Sequence, residues 1–268
     1  MLYTTDGLVI RSIDYGENDR LVTILTPEHG QVTVLAKGAR SMKSKLLNIT
    51  QPYVYGNFEI NSKGNYSWLR SGSSYELFYR LRDDVVKLFL AAYICDVAYE
   101  VTGEGVPSID ILRLTLNTLY AIMTDMRRHE IIKSVFELRV AGYSGYMPSL
   151  AYCGRCKSTD TENMYFDIMN GTLLCSGCLS SKGDFSKKDI YDAFNEIGDI
   201  RERNILVPMT PAVLYAVRFS LSALPEKIFS FNLTDENDVL LFSKIGEGYL
   251  LNHLERGFDS LELYRSVK

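Results

Sequence analysis

Arg20-Leu21-Val22-Thr23-Ile24-Leu25-Thr26 and Gln31-Val32-Thr33-Val34-Leu35-Ala36 flank Pro27-Glu28-His29-Gly30, and this stretch decides how the N-terminal part folds. Both runs are rich in β-branched residues, which suit a pleated, half-buried surface. The residues between them are turn formers. Val32 and Val34 alternate with Thr33, the period of a strand with one face turned inward. Text of the same kind runs outward from Tyr3 to about Tyr75. It predicts five strands, roughly Thr5–Tyr15, Arg20–Thr26, Gln31–Ala36, Pro52–Ile60 and Tyr66–Gly72, with Asn61-Ser62-Lys63-Gly64-Asn65 turning the last pair. Five short antiparallel strands suit a small barrel such as the OB-fold, which closes on itself and hides its edges.

After Asp83-Asp84, acids well placed at a helix start, the apolar period changes from two to about 3.6. The first helix, about Asp84–Thr102, is apolar on nearly every side (Val85, Val86, Leu88, Phe89, Leu90, Tyr93, Ile94, Val97, Val101) and must be buried among others. A second helix is expected to begin at a Ser108 cap and to line up Leu112, Leu116, Leu119 and Met123. A third runs from about His129 to Val140, with Gly142 placed to end it. Thr210-Pro211 is a start signal for a helix carrying Val213, Val217 and Leu221, and a last one, about Asp238–Leu254, carries Phe242, Ile245 and Tyr249. The fold class is therefore α+β: a five-stranded OB-fold barrel over residues 1–80, then an α-helical domain over 81–268.

Cys153-Gly154-Arg155-Cys156 and Cys175-Ser176-Gly177-Cys178 are separated by 18 residues, a spacing of high specificity for zinc. Met164-Tyr165-Phe166-Asp167-Ile168 and Thr172-Leu173-Leu174, joined by Asn170-Gly171, read as a hairpin that returns the second pair to the first. With four sulfur ligands no position stays open for water or substrate, so one Zn2+ per chain would be structural, within an inserted module at about 149–182. Free thiols, an iron–sulfur site and redox use are the alternatives. Cys95, in an apolar helical run, reads as a small buried hydrophobe.

Net charge is −4, yet residues 1–80 carry nine Lys/Arg against seven Asp/Glu, while residues 81–268 carry 20 against 26. No acid occurs between Glu28 and Glu59, whereas Lys37, Arg40, Lys43 and Lys45 all do. Lys37-Gly38-Ala39-Arg40-Ser41-Met42-Lys43-Ser44-Lys45 reads as a flexible cationic loop able to meet phosphates without reading bases; a solvated surface loop is the plain alternative. Tyr15, Tyr53, Tyr55, Phe58, Tyr66, Trp68 and Tyr75 lie in the same domain, some as candidates to stack on bases and more of them as core. No phosphate-binding glycine loop, dinucleotide motif or H-E-x-x-H is present, and His29, His129 and His253 are scattered among polar neighbours, so no catalytic centre is expected. The longest apolar run, Leu88–Cys95, is eight residues, far below the ~18 of a membrane span. With no signal-peptide pattern at Met1–Asp6, a cytoplasmic, nucleoid-associated location is expected.

Several of these residues resemble the N-terminal domain of the RecO family: Asp6-Gly7-Leu8-Val9-Ile10, Tyr15-Gly16-Glu17-Asn18-Asp19-Arg20, Thr26-Pro27-Glu28-His29-Gly30, Ala36-Lys37-Gly38-Ala39-Arg40 and Lys43-Ser44. Gly142-Tyr143-Ser144-Gly145-Tyr146-Met147-Pro148-Ser149-Leu150, leading into Cys153, is similar to the family's entry into its zinc module. The resemblance implies a DNA repair and recombination mediator, not an enzyme. Such a protein binds single- and double-stranded DNA, anneals strands, works with RecR, contacts the C-terminal tail of single-stranded DNA-binding protein (SSB), and so helps load RecA. It also implies Arg11, Arg20, Lys37, Arg40, Lys43 and Lys45 as DNA contacts and Cys153, Cys156, Cys175 and Cys178 as metal ligands. Where the family's loop often continues with a basic residue and a proline, this chain has Ser41-Met42. The competing readings are a zinc-ribbon scaffold for protein interaction and a regulatory factor that reads specific DNA.

Overall fold

The hairpin forms as its alternation requires: β2 (Asp19–Thr26) pairs antiparallel with β3 (Gly30–Ala36), with Thr26 opposite Gly30. Gly30 turns with φ +62°, and a Cβ there would fall 2.1 Å from the carbonyl oxygen of Gly103, so the turn tolerates only glycine. The other strands are β1 (Leu2–Tyr15), β4 (Tyr55–Lys63) and β5 (Tyr66–Glu76). In this computed structural model they close a barrel in the order β1-β2-β3-β5-β4, with β1 also pairing β4 and a parallel β3–β5 contact at Leu35 and Trp68. Val9, Val22, Ile24, Val34, Phe58, Ile60 and Leu69 fill its interior. Truncating the fully buried Phe58 to alanine should cost about 3–5 kcal/mol.

The structure describes residues 1–64, 66–160, 162–180 and 206–268. Asn65 of the expected β4–β5 turn and residues 181–182 at the end of the expected metal module lie outside them. By packing, the chain divides into two units, residues 1–124 with 258–268, and residues 125–257. The change from strand to helix near residue 80 falls inside the first unit.

In that first unit α1 (Val85–Val101) starts where Asp84 accepts hydrogen bonds from the amides of Val86 and Lys87. It packs against α2 (Ile109–Met123). Ser108 precedes α2 but does not cap it with its side chain, because its hydroxyl donates to the carbonyl of Val106 instead.

The second unit opens with α3 (His129–Tyr143), which runs through Gly142 rather than ending there. A Cβ at Gly142 would lie 2.8 Å from the Met147 methyl, so the glycine serves a close approach and the chain turns at Gly145, φ +96°. Next come β6 (Ser149–Cys153), β7 (Met164–Asp167), β8 (Thr172–Cys175), the short α4 (Ser176–Ser180) and β9 (Leu206–Met209). The strands form one sheet in the order β6-β8-β7-β9, with Pro208 on an edge strand, where its missing N–H is harmless. α5 (Pro211–Ser222) begins at Thr210, whose hydroxyl accepts from Val213 N. α6 (Glu236–Leu254) packs on α3. There Lys133 Nζ lies 2.8 Å from Glu137 and 2.7 Å from Glu247, with the Lys133 and Glu137 side chains essentially inaccessible. Burial pulls the Lys133 pKa down, but the two carboxylates outweigh it and hold the ammonium charged.

The chain ends in α7 (Asp259–Val267), which returns to the first unit and packs on α1. No helix among the described residues is long and apolar enough to cross a membrane.

Candidate nucleic-acid interface and metal centre

The cationic segment after β3 is not a loose loop. Ala39 N bonds to Ala36 O, Ser41 N to Gly38 O, Ser44 N to Ser41 O, Leu47 N to Ser44 O and Thr50 N to Leu46 O, a succession of turns. Buried Ala39 and Ile49 anchor it in the barrel interior. Gly38, φ +64°, makes the first bend, and its amide donates to Asp19 Oδ1 at 2.7 Å. The polar residues between the anchors are thereby held outward. Lys37, Lys43 and Lys45 are exposed, and no carboxylate among the described residues forms an ion pair with them.

The arginines fare differently. Asp14, opposite Arg20 in the β1–β2 register, lies 3.4 Å from Arg20 Nε and 3.3 Å from Arg40 Nε. Arg20 also donates to Leu47 O and Thr50 Oγ1, and its side chain is only 16% exposed. Arg40 donates to the carbonyls of Gly16 and Glu17 at 3.1 and 3.0 Å, while its amide reaches Asn18 O. The two guanidiniums thus tie the β1–β2 turn and the 46–50 stretch to the barrel. Arg11 lies apart from them, exposed, with its guanidinium 4.6 Å from the centre of the Tyr99 ring. Sequence reasoning missed Asp14 as the clamp. The signal was present, since residues across a short hairpin pair directly.

In the second unit the hairpin of β7 and β8 brings the two cysteine pairs together, with Met164 opposite Cys175. The four sulfurs of Cys153, Cys156, Cys175 and Cys178 lie within 4.8 Å of one another, and Cys156 and Cys175 are 3.5 Å apart. These are not disulfides, whose sulfurs are about 2.05 Å apart. Four thiolates around an ion with bonds of about 2.3 Å would stand about 3.8 Å from one another, so the set fits a tetrahedral ion.

Burial pushes the Cys153 thiol up, but backbone N–H groups of Cys156, Cys175 and Arg155 directed at its sulfur bring it down to about 6. Cys178, hydrogen-bonded to Cys156 and Cys175, is pushed up to about 12. Hydrogen bonds favour the ionised form at Cys153, whereas the neighbouring sulfurs oppose it at Cys178, and a divalent cation among the four would take the place of the shared protons. The cluster is able to hold a metal ion.

Residues 1–78 match the family model described as Recombination protein O N terminal, and residues 82–185 match Recombination protein O C terminal. A DNA repair protein RecO of Acetivibrio thermocellus is 30% identical over 263 residues, covering 98% of this chain and 96% of its own length. That of Clostridium acetobutylicum is 27% identical over 268 residues, covering 100% and 98%. That of Alkaliphilus metalliredigens is 35% identical over 178 residues, covering 66% and 72%. The barrel, the cysteine cluster and relatives spanning the full length agree, and the chain belongs to the RecO family, recombination and DNA repair mediators that are not enzymes.

Proposed function

We propose that the chain binds single- and double-stranded DNA through the N-terminal barrel, anneals complementary strands and, with RecR, helps load RecA onto DNA coated with SSB, whose C-terminal tail it contacts. The observation that carries the reading is the group of Lys37, Lys43 and Lys45, exposed on hydrogen-bonded turns without an acidic partner among the described residues. Three ammonium groups held outward can each meet a phosphate oxygen with no base read, which suits a protein indifferent to sequence. Arg40, half-committed to Asp14, and Arg11, on the Tyr99 ring, stand next as contacts; Arg20 serves the same site chiefly by fixing its turns.

Functionally we divide the chain into residues 1–80 for DNA and 81–268 for protein partners, in the cytoplasm at the nucleoid. The metal is zinc, one per chain, held by Cys153, Cys156, Cys175 and Cys178. When bound, it supplies folding free energy to a module too small to hold itself together. The decisive experiment is DNA binding measured across a salt series: salt-sensitive, sequence-indifferent binding supports the reading, and no binding at low salt removes it.

A further inference from the structure

The outer surface of the barrel is covered in one part and open in another. Where Leu8 of β1 pairs with Leu25 of β2, both side chains are fully buried although neither belongs to the interior cluster. α1 and α2 pack against these strands. Gln31, opposite Leu25, donates to the carbonyl oxygens of Tyr99 and Thr102 at the end of α1. Further along the same strands the cover ends. Ile13 lies opposite Leu21, Leu21 opposite Leu35, and Leu35 beside Trp68, so apolar side chains of β1, β2, β3 and β5 form one row on the outer face. Ile13 is 50% and Leu21 37% exposed, and Tyr66, two residues before Trp68 and so on the same face, is 71% exposed. The Tyr66 and Trp68 rings lie 25° from parallel with centroids 6.3 Å apart.

The charges around the row point to its occupant. Lys63 stands opposite Tyr66 on β4, and Lys37 follows two residues after Leu35; both are exposed. The nearby carboxylates are engaged: Asp19 accepts from the Gly38 amide, while Glu59 accepts from the Ser71 hydroxyl and lies 3.8 Å from Arg70. Flat apolar rings strung on an anionic chain match an aromatic and aliphatic row with one cation at its Tyr66 end and another beside Leu35 in its middle. A purely apolar partner would leave both lysines without a counter-charge. Of the other aromatics of the barrel, Tyr15, 58% exposed, lies two residues after Ile13 on the same face of β1, and the rest offer less. Tyr53 and Phe58 are buried, and Tyr55 meets Tyr75 edge to face while the Tyr75 hydroxyl donates to Asp6.

We infer that unpaired bases of a single strand stack on Tyr66 and Trp68 and continue along Leu35, Leu21 and Ile13, with Lys37 and Lys63 on the flanking phosphates. This rests on the DNA-binding reading above and deepens it, because phosphate contacts alone do not prefer single strands whereas stacking requires bases that are not already paired.

Trp68 is the one tryptophan of the chain and reports on its own surroundings. The full chain is titrated with oligothymidylate, with an abasic oligonucleotide of equal length and with a duplex of equal length. Tryptophan emission and the anisotropy of an end label are followed in parallel. All three should bind at low salt, and oligothymidylate alone should quench the emission. Tyr66→Ala should weaken oligothymidylate binding about tenfold and leave the abasic strand unaffected. Trp68→Phe, which keeps a stacking face, should bind nearly as well without the signal. Oligothymidylate binding with unchanged emission and full affinity in Tyr66→Ala would overturn the stacking while the phosphate reading stands. Failure of all three ligands to bind would remove both. An emission change on diluting the protein alone would assign the row to a second copy of the chain and overturn the inference.

Discussion

Replacing Lys37, Lys43 and Lys45 together by alanine tests the phosphate contacts quantitatively. On single strands each neutralised phosphate contributes about −0.7 to the slope of log K against log salt. Three lysines therefore give a slope of about −2, which is about a 20-fold loss of affinity between 50 and 200 mM salt. If Arg40 also left Asp14 to meet a phosphate, the slope would be about −3 and the loss about 50-fold. Anisotropy of a labelled single strand over that range separates the two cases. The triple variant should lose about 2 from the slope and keep about −0.7 for each of Lys63, Arg11 and Arg40 that meets a phosphate. Its thermal unfolding should match the native chain within about 0.5 kcal/mol, because all three side chains are exposed and away from the anchors Ala39 and Ile49. A triple variant whose slope equals that of the native chain would refute the argument, since the charge would then have to come entirely from elsewhere.

Asp14→Asn removes the carboxylate shared by Arg20 and Arg40, so the salt slope should steepen by about 0.7 and low-salt affinity should rise; an unchanged slope means that the hydrogen bonds from Arg40 to Gly16 and Glu17 hold it by themselves. Freshly purified protein should contain about one zinc per chain by elemental analysis, and Cys175→Ser should lose the metal and lower the thermal stability of residues 125–257 while leaving the DNA salt slope unchanged. Lys133→Met should destabilise the α3–α6 pair by about 3–5 kcal/mol in denaturant unfolding, because the buried ammonium that bridges Glu137 and Glu247 would be lost; a cost below about 1 kcal/mol would show that this bridge does not hold the pair together.

The parts of the fold legible in the sequence are those set by neighbours in the chain. β2 and β3 follow from their own alternation, α1 from its acidic cap, α5 from Thr210-Pro211, and the cysteine cluster from two local pairs joined by a hairpin. Elements set by distant partners were not legible. β1 begins at Leu2 because it pairs with Asn61, and β5 continues through Ser71-Gly72-Ser73-Ser74, which carry no apolar signal, because β4 holds them in register. α7 is nine residues whose buried Leu261 and Tyr264 matter only against α1. Among the site residues, the cationic segment was visible as composition. Which cations stay available was not, since Asp14 sits outside the segment and claims two arginines from separate elements. The apolar row was equally hidden: Ile13, Leu21, Leu35 and Trp68 are ordinary strand residues until the register aligns them.

The proposed DNA grip is compatible with a net charge of −4, because exposed charges beyond the Debye length, about 8 Å in physiological salt, are largely screened. The same screening limits the grip to the few phosphates within reach, so affinity for duplex should be modest. Stacking on an aromatic side chain is worth about 1–3 kcal/mol per base, and a duplex stacking step about 1.4 kcal/mol on average. These magnitudes are close. A base held on Tyr66 or Trp68 therefore gives up about as much as it gains when a complementary strand captures it, while the lysines keep their phosphates throughout. On the proposed reading, annealing on this barrel would need neither a catalytic residue nor an energy source: pairing would clear the apolar row, and the duplex would be retained only by the salt-sensitive contacts from which it can leave.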